Sequence, residues 1–498
     1  MYVWYPTKSF DFRPMKQAKA DGDDRYDWYE AKLLDFLVWQ DGGEVRLPNP
    51  PSSTSSSSSN GSSSSSSDLV TVPDAWTSLG PWSAVDKQML ATFHEYRQHA
   101  AQKSAVVVPR PVEKSSTGKQ ENGEERKATI VFGLMLHDDV PKFQAQWQAL
   151  FSEEHYYVIH LDKHLEEKNA PLPPAGAAGT AAAAAEAEAK KEKDVQRREG
   201  ILAIIAGTPL SSPAASVWDR VHVVEESASI DSLWGDITLV YTEVLLWLRL
   251  NQQLSHWEWD YLINLSGSDI PVVPLDAVAE YFQPYLATAS APAARGTGST
   301  SWIYSHNNTN EFRQTYVLPE KEAHKLIVAF DLRQNETNFG RYRARVNMTR
   351  LLGCTQWHVL HRTMLERLVS TPEVEGFLYS MKHTSIPDES FFASAAQWLV
   401  DRHPEELSLR PQDLRYVKEI RYRNLAAKGE LREMMQEARR RHVLFARKSN
   451  SALITCVYTN RLMGFNHDCS VFNSTGEFPS DALYDEPQPR PADAKDAE

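Results

Sequence analysis

Four places in the sequence combine reactive side chains with a structural reason to hold them still. Pro387-Asp388-Glu389 opens a predicted helix whose Phe391, Phe392, Ala395, Ala396 and Leu399 form a buried stripe. Glu389 is then a carboxylate on a packed support, able to take a proton from an alcohol in a transition state. Acidic residues at a helix start also complement its dipole, which alone accounts for Asp388 and Glu389. Arg447-Lys448 follows the apolar Val443 to Ala446. Two cations there can neutralise a diphosphate in place of a metal ion, Arg by its planar fork and Lys as a point charge. The nearby Arg439, Arg440 and Arg441 equally suit an exposed basic face. Asp162 ends the apolar YYVIHLDKH of Tyr156 to His164, where a carboxylate can hold a ribose or a base edge. Asp269 follows the apolar run of WEWDYLINLSGSDIP, Trp257 to Pro271, and can receive substrate hydroxyls or simply shape a turn.

Other chemistries lose support. No G-x-G-x-x-G follows the first predicted strand and no G-x-x-x-x-G-K-[ST] occurs, so dinucleotide oxidoreductase and P-loop readings lack their main signal. His160-x-Asp162-x-His164 has metal-ligand residue types, but strand alternation would have to put all three on one face beside an apolar run, and no metal is expected. His137-Asp138-Asp139 reads as solvated loop charge. A formal charge of -13 argues against a general nucleic-acid binder, which needs a basic stripe.

These residues need a sheet to position them. ATIVFGLMLH, Ala128 to His137, is a continuous apolar strand, Pro141 to Phe151 has helical spacing, and Tyr156 to His164 is a second strand. That is a βαβ unit, the mark of a parallel sheet. VHVV at Val221 to Val224 resumes the fold, and a helix with Val240, Val244, Trp247 and Leu248 on one face leads into the Trp257 to Pro271 strand. Later come a strand at Thr300 to Ser305, GCTQWHVL at Gly353 to Leu360, a helix from Pro387 to Val400 and VLFARKSN at Val443 to Asn450. The reading divides the 498 residues into a stem-like region over 1–127, a catalytic domain over 128–465 and a tail over 466–498. The stem holds helices at 24–40 and 83–102 and a serine linker over 52–67, and residues 165–198 are a loop insertion, partly helical or disordered.

Hydrophobic residues at 42%, with 14 Trp, supply a substantial core and flat platforms for sugars or bases. Three cysteines allow at most one bridge, with Cys456 and Cys469 the candidate pair. Sequons at Asn60, Asn307, Asn335, Asn347 and Asn473 are compatible with a secretory lumen. No run approaches the roughly 20 apolar residues of a membrane span, so the protein is expected to be soluble or to carry its anchor upstream.

In this order the segments resemble glycosyltransferase family 14, which contains the core-2 and I-branching N-acetylglucosaminyltransferases and the peptide O-xylosyltransferases. The pieces are the strand ending in His137, IHLDK at Ile159 to Lys163, LWG at Leu233 to Gly235, the WEWDYLINLSGSDIP run and SWIYSHNNTNEFRQ at Ser301 to Gln314. GCTQWHVLHR at Gly353 to Arg362, PDESFF at Pro387 to Phe392 and LFARK at Leu444 to Lys448 complete them. The double Trp before Asp260 is closer to the xylosyltransferase branch.

The resemblance implies an α/β fold, a GT-A-type Rossmann-like mixed sheet flanked by helices, with inversion at the sugar, a UDP-sugar donor, no required metal or cofactor and a protein or glycan acceptor. It also implies a Golgi or secretory-lumen protein of type II topology, its anchor outside this chain. By the same resemblance Asp162, the backbone near Met135 and the Ser232-Leu233-Trp234 turn would hold the nucleoside, and Trp357 would line the sugar pocket. Arg447 and Lys448 would bind the diphosphate, Glu389 would be the base, and Asp269 and Asp388 would shape the acceptor side. Gln356 stands where xylosyltransferases carry Asp, so it would meet sugar hydroxyls without charge. The alternative reading is a catalytically silent member that binds nucleotide sugar or glycan.

Overall fold

The computed structural model describes residues 82–105, 126–137, 140–163, 181–286, 299–307, 338–348, 350–384, 386–420 and 443–449, with shorter pieces at 2–3, 13–14, 315–320 and 325–331 and single positions 79 and 456. The helix expected at 24–40, the serine linker and the whole 466–498 tail, including the candidate cysteine Cys469, lie outside them.

Seven strands form the central sheet: β1 (Ile130–Leu136), β2 (Tyr156–Leu161), β3 (Val221–Val223), β4 (Tyr261–Ser266), β6 (Ser299–Asn307), β7 (Leu352–His361) and β8 (Leu407–Arg410). Their spatial order is β8-β6-β7-β4-β1-β2-β3. Strands β3, β2, β1 and β4 pair in parallel, β7 runs against both β4 and β6, and β8 lies parallel to β6. The expected βαβ unit is present, with α2 (Val140–Leu150) joining the adjacent parallel strands β1 and β2. This is the mixed, mostly parallel α/β sheet of a GT-A-like fold.

Continuous apolar sequence is what a parallel strand buried on both faces requires, and every residue of β1 and β4 is buried. Alternation along β1 then builds two cores. Ile130, Phe132, Leu134 and Leu136 face one with α2, α3 (Ala181–Ala206) and α5 (Leu275–Phe282), while Val131 and Met135 face the other. That second core is covered by α1 (Ala84–Ala105), α4 (Ile237–Gln252), α7 (Arg362–Ser370), α8 (Pro372–Ser380) and α9 (Phe391–Arg402). Helix α1, read as stem, therefore contributes Met89, Leu90 and Phe93 to the same core as α4. Helix α3 begins inside the segment read as a loop insertion and runs on to bury Ile201 and Ile205 against the sheet.

A smaller sheet sits beside the carboxyl end of β4. Strand β5 (Ile270–Pro271) pairs antiparallel with β10 (Phe445–Ser449), which lies parallel to β9 (Arg415–Ile420). The short α6 (Asn338–Arg345) precedes β7. One expectation needs correction: Pro387–Glu389 is a 3₁₀ turn, and the α-helix starts only at Phe391. Proline fixes the first residue of that turn and Ser390 departs from helical geometry, so Glu389 does not ride on the first turn of α9.

Candidate functional site

Strand β1 has β2 on one side and β4 on the other, so the connection reverses direction there. In open α/β sheets ligands bind outside the carboxyl ends of the strands at such a switch point. At that end lie Met135 of β1, Asp162 after β2, the Ser266–Asp269 turn after β4 and the first residues of the antiparallel β7.

Asp162 is nearly buried, and its carboxylate accepts a hydrogen bond from the Ser232 N–H at 3.2 Å. The turn that makes this contact is built locally. Asp236 caps α4 through the Thr238 N–H and hydroxyl, the Thr238 hydroxyl oxygen accepts from the Leu233 N–H at 2.9 Å, and the Ser232 and Thr242 hydroxyls are 2.8 Å apart. Gly235 has φ 80°, a left-handed conformation that glycine adopts without steric cost. Trp234, at 40% exposure, stands out beside this turn. Upstream, the buried His160 ring accepts from the Ile230 N–H at 2.9 Å, and burial pushes its pKa down to about 3. It is thus a neutral imidazole that anchors the 230–232 segment. Among the described residues no cluster of three His, Cys, Asp or Glu side chains could hold a metal, and His164 lies outside them.

The opposite wall is a buried polar network. Asp269 is fully buried, accepts from the Ser266 N–H at 2.7 Å and the Ser266 hydroxyl at 2.6 Å, and lies 3.4 Å from Arg415 Nε. Of its two expected roles the structure shows turn-shaping, with an ion pair added. Asn264 donates to Glu243 at 3.1 Å and to the Gln356 carbonyl at 3.0 Å, and its own carbonyl groups meet Arg415. Glu243 faces His358 at 2.7 Å. Burial lowers the pKa of Arg415 and of Arg447, and the nearby Asp269 and Asp413 carboxylates oppose it. Burial raises that of Asp413, opposed by Arg415. A guanidinium stays charged through such shifts.

Two sequence candidates meet here directly. The Arg447 guanidinium lies over the Trp357 ring at 3.8 Å, with Arg415 5.4 Å from the same ring. Trp357 is 8% exposed, so it braces a cation more than it offers an open platform. Gln356, partly exposed, approaches the Met135 sulfur at 3.8 Å. The side chain of Lys448 lies outside the described residues.

Glu389 is half-buried on its 3₁₀ turn, which packs against β7 and α4. Ile386, just before it, has φ 50° and ψ 57°. A β-branched residue in the left-handed region is strained, and such strain persists where the surroundings over-determine it. Two contacts do so: the Ile386 N–H donates to the Gly235 carbonyl at 3.0 Å, and the Cys354 thiol donates to the Asp388 carbonyl at 3.7 Å. Asp388 is buried, close enough for its charge to act on Arg447. Contacts from Asp162 to Ser232, Gly235 to Ile386, Met135 to Gln356 and Trp357 to Arg447 bring these segments together at the carboxyl end of the sheet.

Sequence reasoning passed over Arg415, Asp413, Glu243, His358 and Asn264. Asn264 carried a signal as the one polar residue inside the apolar Tyr261 to Leu265 run, and so did Glu243 amid the apolar face of α4. Arg415 carried none, because the Asn264 carbonyls and the Asp269 carboxylate that its guanidinium meets lie more than a hundred residues away.

A family model described as Core-2/I-Branching enzyme matches residues 130–419. Among curated proteins, xylosyltransferase 1 of Rattus norvegicus is 20% identical over 266 residues, 53% of this chain and 25% of that protein. Xylosyltransferase oxt of Drosophila melanogaster is 26% identical over 166 residues, 32% of this chain and 16% of its own. The chain thus spans a quarter or less of the length of these relatives.

Proposed function

The chain belongs to the core-2/I-branching enzyme family of glycosyltransferases, and from that premise we propose that it moves xylose or N-acetylglucosamine from a UDP-sugar to a hydroxyl of a protein or glycan, with inversion. The acceptor oxygen attacks the anomeric carbon from the face opposite UDP, and its proton passes to Glu389. The bond from that carbon to the β-phosphate oxygen breaks, and its electron pair leaves with UDP. Arg447 and Lys448 stabilise the diphosphate charge as it develops, with the buried Arg415 behind them, as preorganised cations do in a site of low dielectric. Asp162 and the Ser232–Trp234 turn hold the nucleoside, Gln356 and Trp357 border the sugar, and Asp388 and Asp269 shape the acceptor side and the β4 turn.

One observation carries this reading. The hydrogen bond from Ile386 to Gly235 ties the turn bearing Glu389 to the turn that meets the Asp162 carboxylate, which supports assigning a base and a nucleoside-binding group to these joined turns. The test is UDP release from the purified protein with a panel of UDP-sugars and acceptors. Glu389→Gln should lower kcat by about 10²- to 10⁴-fold, the usual worth of a positioned general base. Donor binding without turnover in the unmodified protein, across suitable acceptors, would instead establish the silent alternative. Activity should survive EDTA, since the counter-charge is assigned to side chains; strict dependence on added Mn²⁺ would overturn that assignment.

We place the protein in a secretory lumen, in the Golgi by likeness of family. Cys456 is disulfide-bonded while Cys354 is a buried thiol outside any disulfide, and disulfides persist in oxidising compartments. No helix among the described residues is long and apolar enough to cross a membrane.

A further inference from the structure

Helix α1 lies outside the residues 130–419 that the family model matches, yet two of its polar side chains reach segments that border the site. The Gln88 amide donates to the Ala228 carbonyl at 2.7 Å, in the stretch leading to Ser232. One oxygen of Asp86 accepts from the Tyr241 hydroxyl of α4 at 2.6 Å. The other lies 3.4 Å from the Lys382 ammonium, four residues before Ile386. Asp86 and Lys382 are both buried, and Lys382 stands 4.2 Å from the Trp82 ring. Asp86 also caps its own helix by exchanging hydrogen bonds with Ser83 at 2.8 and 3.2 Å.

A helix needed only as cover would bring apolar side chains. Burying a carboxylate and an ammonium costs desolvation that returns only when both are held in fixed geometry. Here the fixed points are the first turns of α4 and the segment entering the Glu389 turn, the same two pieces joined by the Ile386 to Gly235 hydrogen bond. We infer that α1 is a positioning element of the cleft and Asp86 its positioning residue, bracing α4 and the Lys382 segment from behind so that Glu389 faces the bound donor. The kinetic consequence rests on the transfer reading above; the structural consequence does not.

The test uses the full chain with Asp86→Asn, and Tyr241→Phe as the variant that removes a single oxygen and keeps the fold. The expected result is a fall in kcat of about ten- to a hundredfold, the scale of a small misplacement at the chemistry, with the donor KM changed less than about threefold. Hydrogen exchange should quicken in peptides covering 228–236 and 386–390 and stay unchanged in β1 and β2. Unchanged kcat in an active protein, faster exchange confined to α1, or loosening spread evenly over the domain would each overturn the inference. If the unmodified protein turns over no UDP-sugar, the transfer reading fails and the exchange pattern alone decides: loosening at the two cleft segments upholds the brace, and its absence overturns it.

Discussion

Asp162 and Asp269 leave the sheet at the same end, after the two strands that flank β1, and they behave differently. Asp269 is fully buried and consumed by Ser266 and Arg415. Asp162 meets the Ser232 N–H of the turn before α4. A carboxylate beyond a parallel strand is placed to bind, but its surroundings decide whether it binds a ligand or the protein itself. The β4 side is closed by an ion pair inside the protein, and the β2 side holds Asp162 against the Ser232 turn, where the transfer reading sets the nucleoside.

The sharpest way to break this comparison is to remove each carboxylate. Asp269→Ala leaves Arg415 as a buried, uncompensated cation and strips two donors of their acceptor, so unfolding in urea should show a loss of about 3–5 kcal/mol. Asp162→Asn keeps the shape and removes the charge. Its donor affinity should fall by about 1.5–3 kcal/mol, the worth of a hydrogen bond to a charged group, while its urea midpoint hardly moves. Equal destabilisation by the two changes would erase the distinction. A smaller effect belongs to the cation between the walls. Arg447→Lys keeps the charge but loses the planar stack on Trp357, which should cost about 1 kcal/mol of stability, read from the same urea curves; no loss would mean that the stack contributes nothing.

The same contrast explains what the sequence let one read. The parallel strands and the β1-α2-β2 unit were legible because each depends on a local apolar pattern, and the places of Asp162 and Arg447 because each follows an apolar run. The role of Asp269 was legible only as one of two choices, because the choice rests on Arg415, a partner 146 residues away in the chain whose own neighbours say nothing of it. The place of α1 was illegible for a similar reason. Its apolar spacing announces a helix, but its packing against α4 and the pairing of Asp86 with Lys382 depend on tertiary contact alone. The 3₁₀ geometry at Glu389 was missed because Pro387 and the two acidic residues fit a helix start equally well, and the strain that decides it sits in the backbone of Ile386.

The last prediction tests the anchor beneath the β2 side. His160, two residues before Asp162, is held neutral by burial, with its pKa near 3 against an ordinary 6.5. The unfolded chain takes up that proton as pH falls through about 6.5, and the folded chain does so only near 3. This group therefore removes stability as pH drops between those values, by at most about 1.4 kcal/mol per pH unit. Asp236, whose pKa burial raises to about 6, works in the opposite sense, because the folded chain binds its proton before the unfolded chain does and acidification from about pH 6 to 4 adds stability. His155 and His361, both lowered to about 4, act with His160, and Glu375, raised to about 7, acts with Asp236. In His160→Gln all of these remain except one, so the difference between its urea stability and that of the unmodified protein isolates the buried imidazole. That difference should shift in favour of the variant as pH is lowered from 6.5 to 4.5, whatever its size at neutral pH. Parallel curves over that range would mean that His160 is protonated in the folded chain, and the neutral anchor for the Ile230 to Ser232 segment would be lost with it.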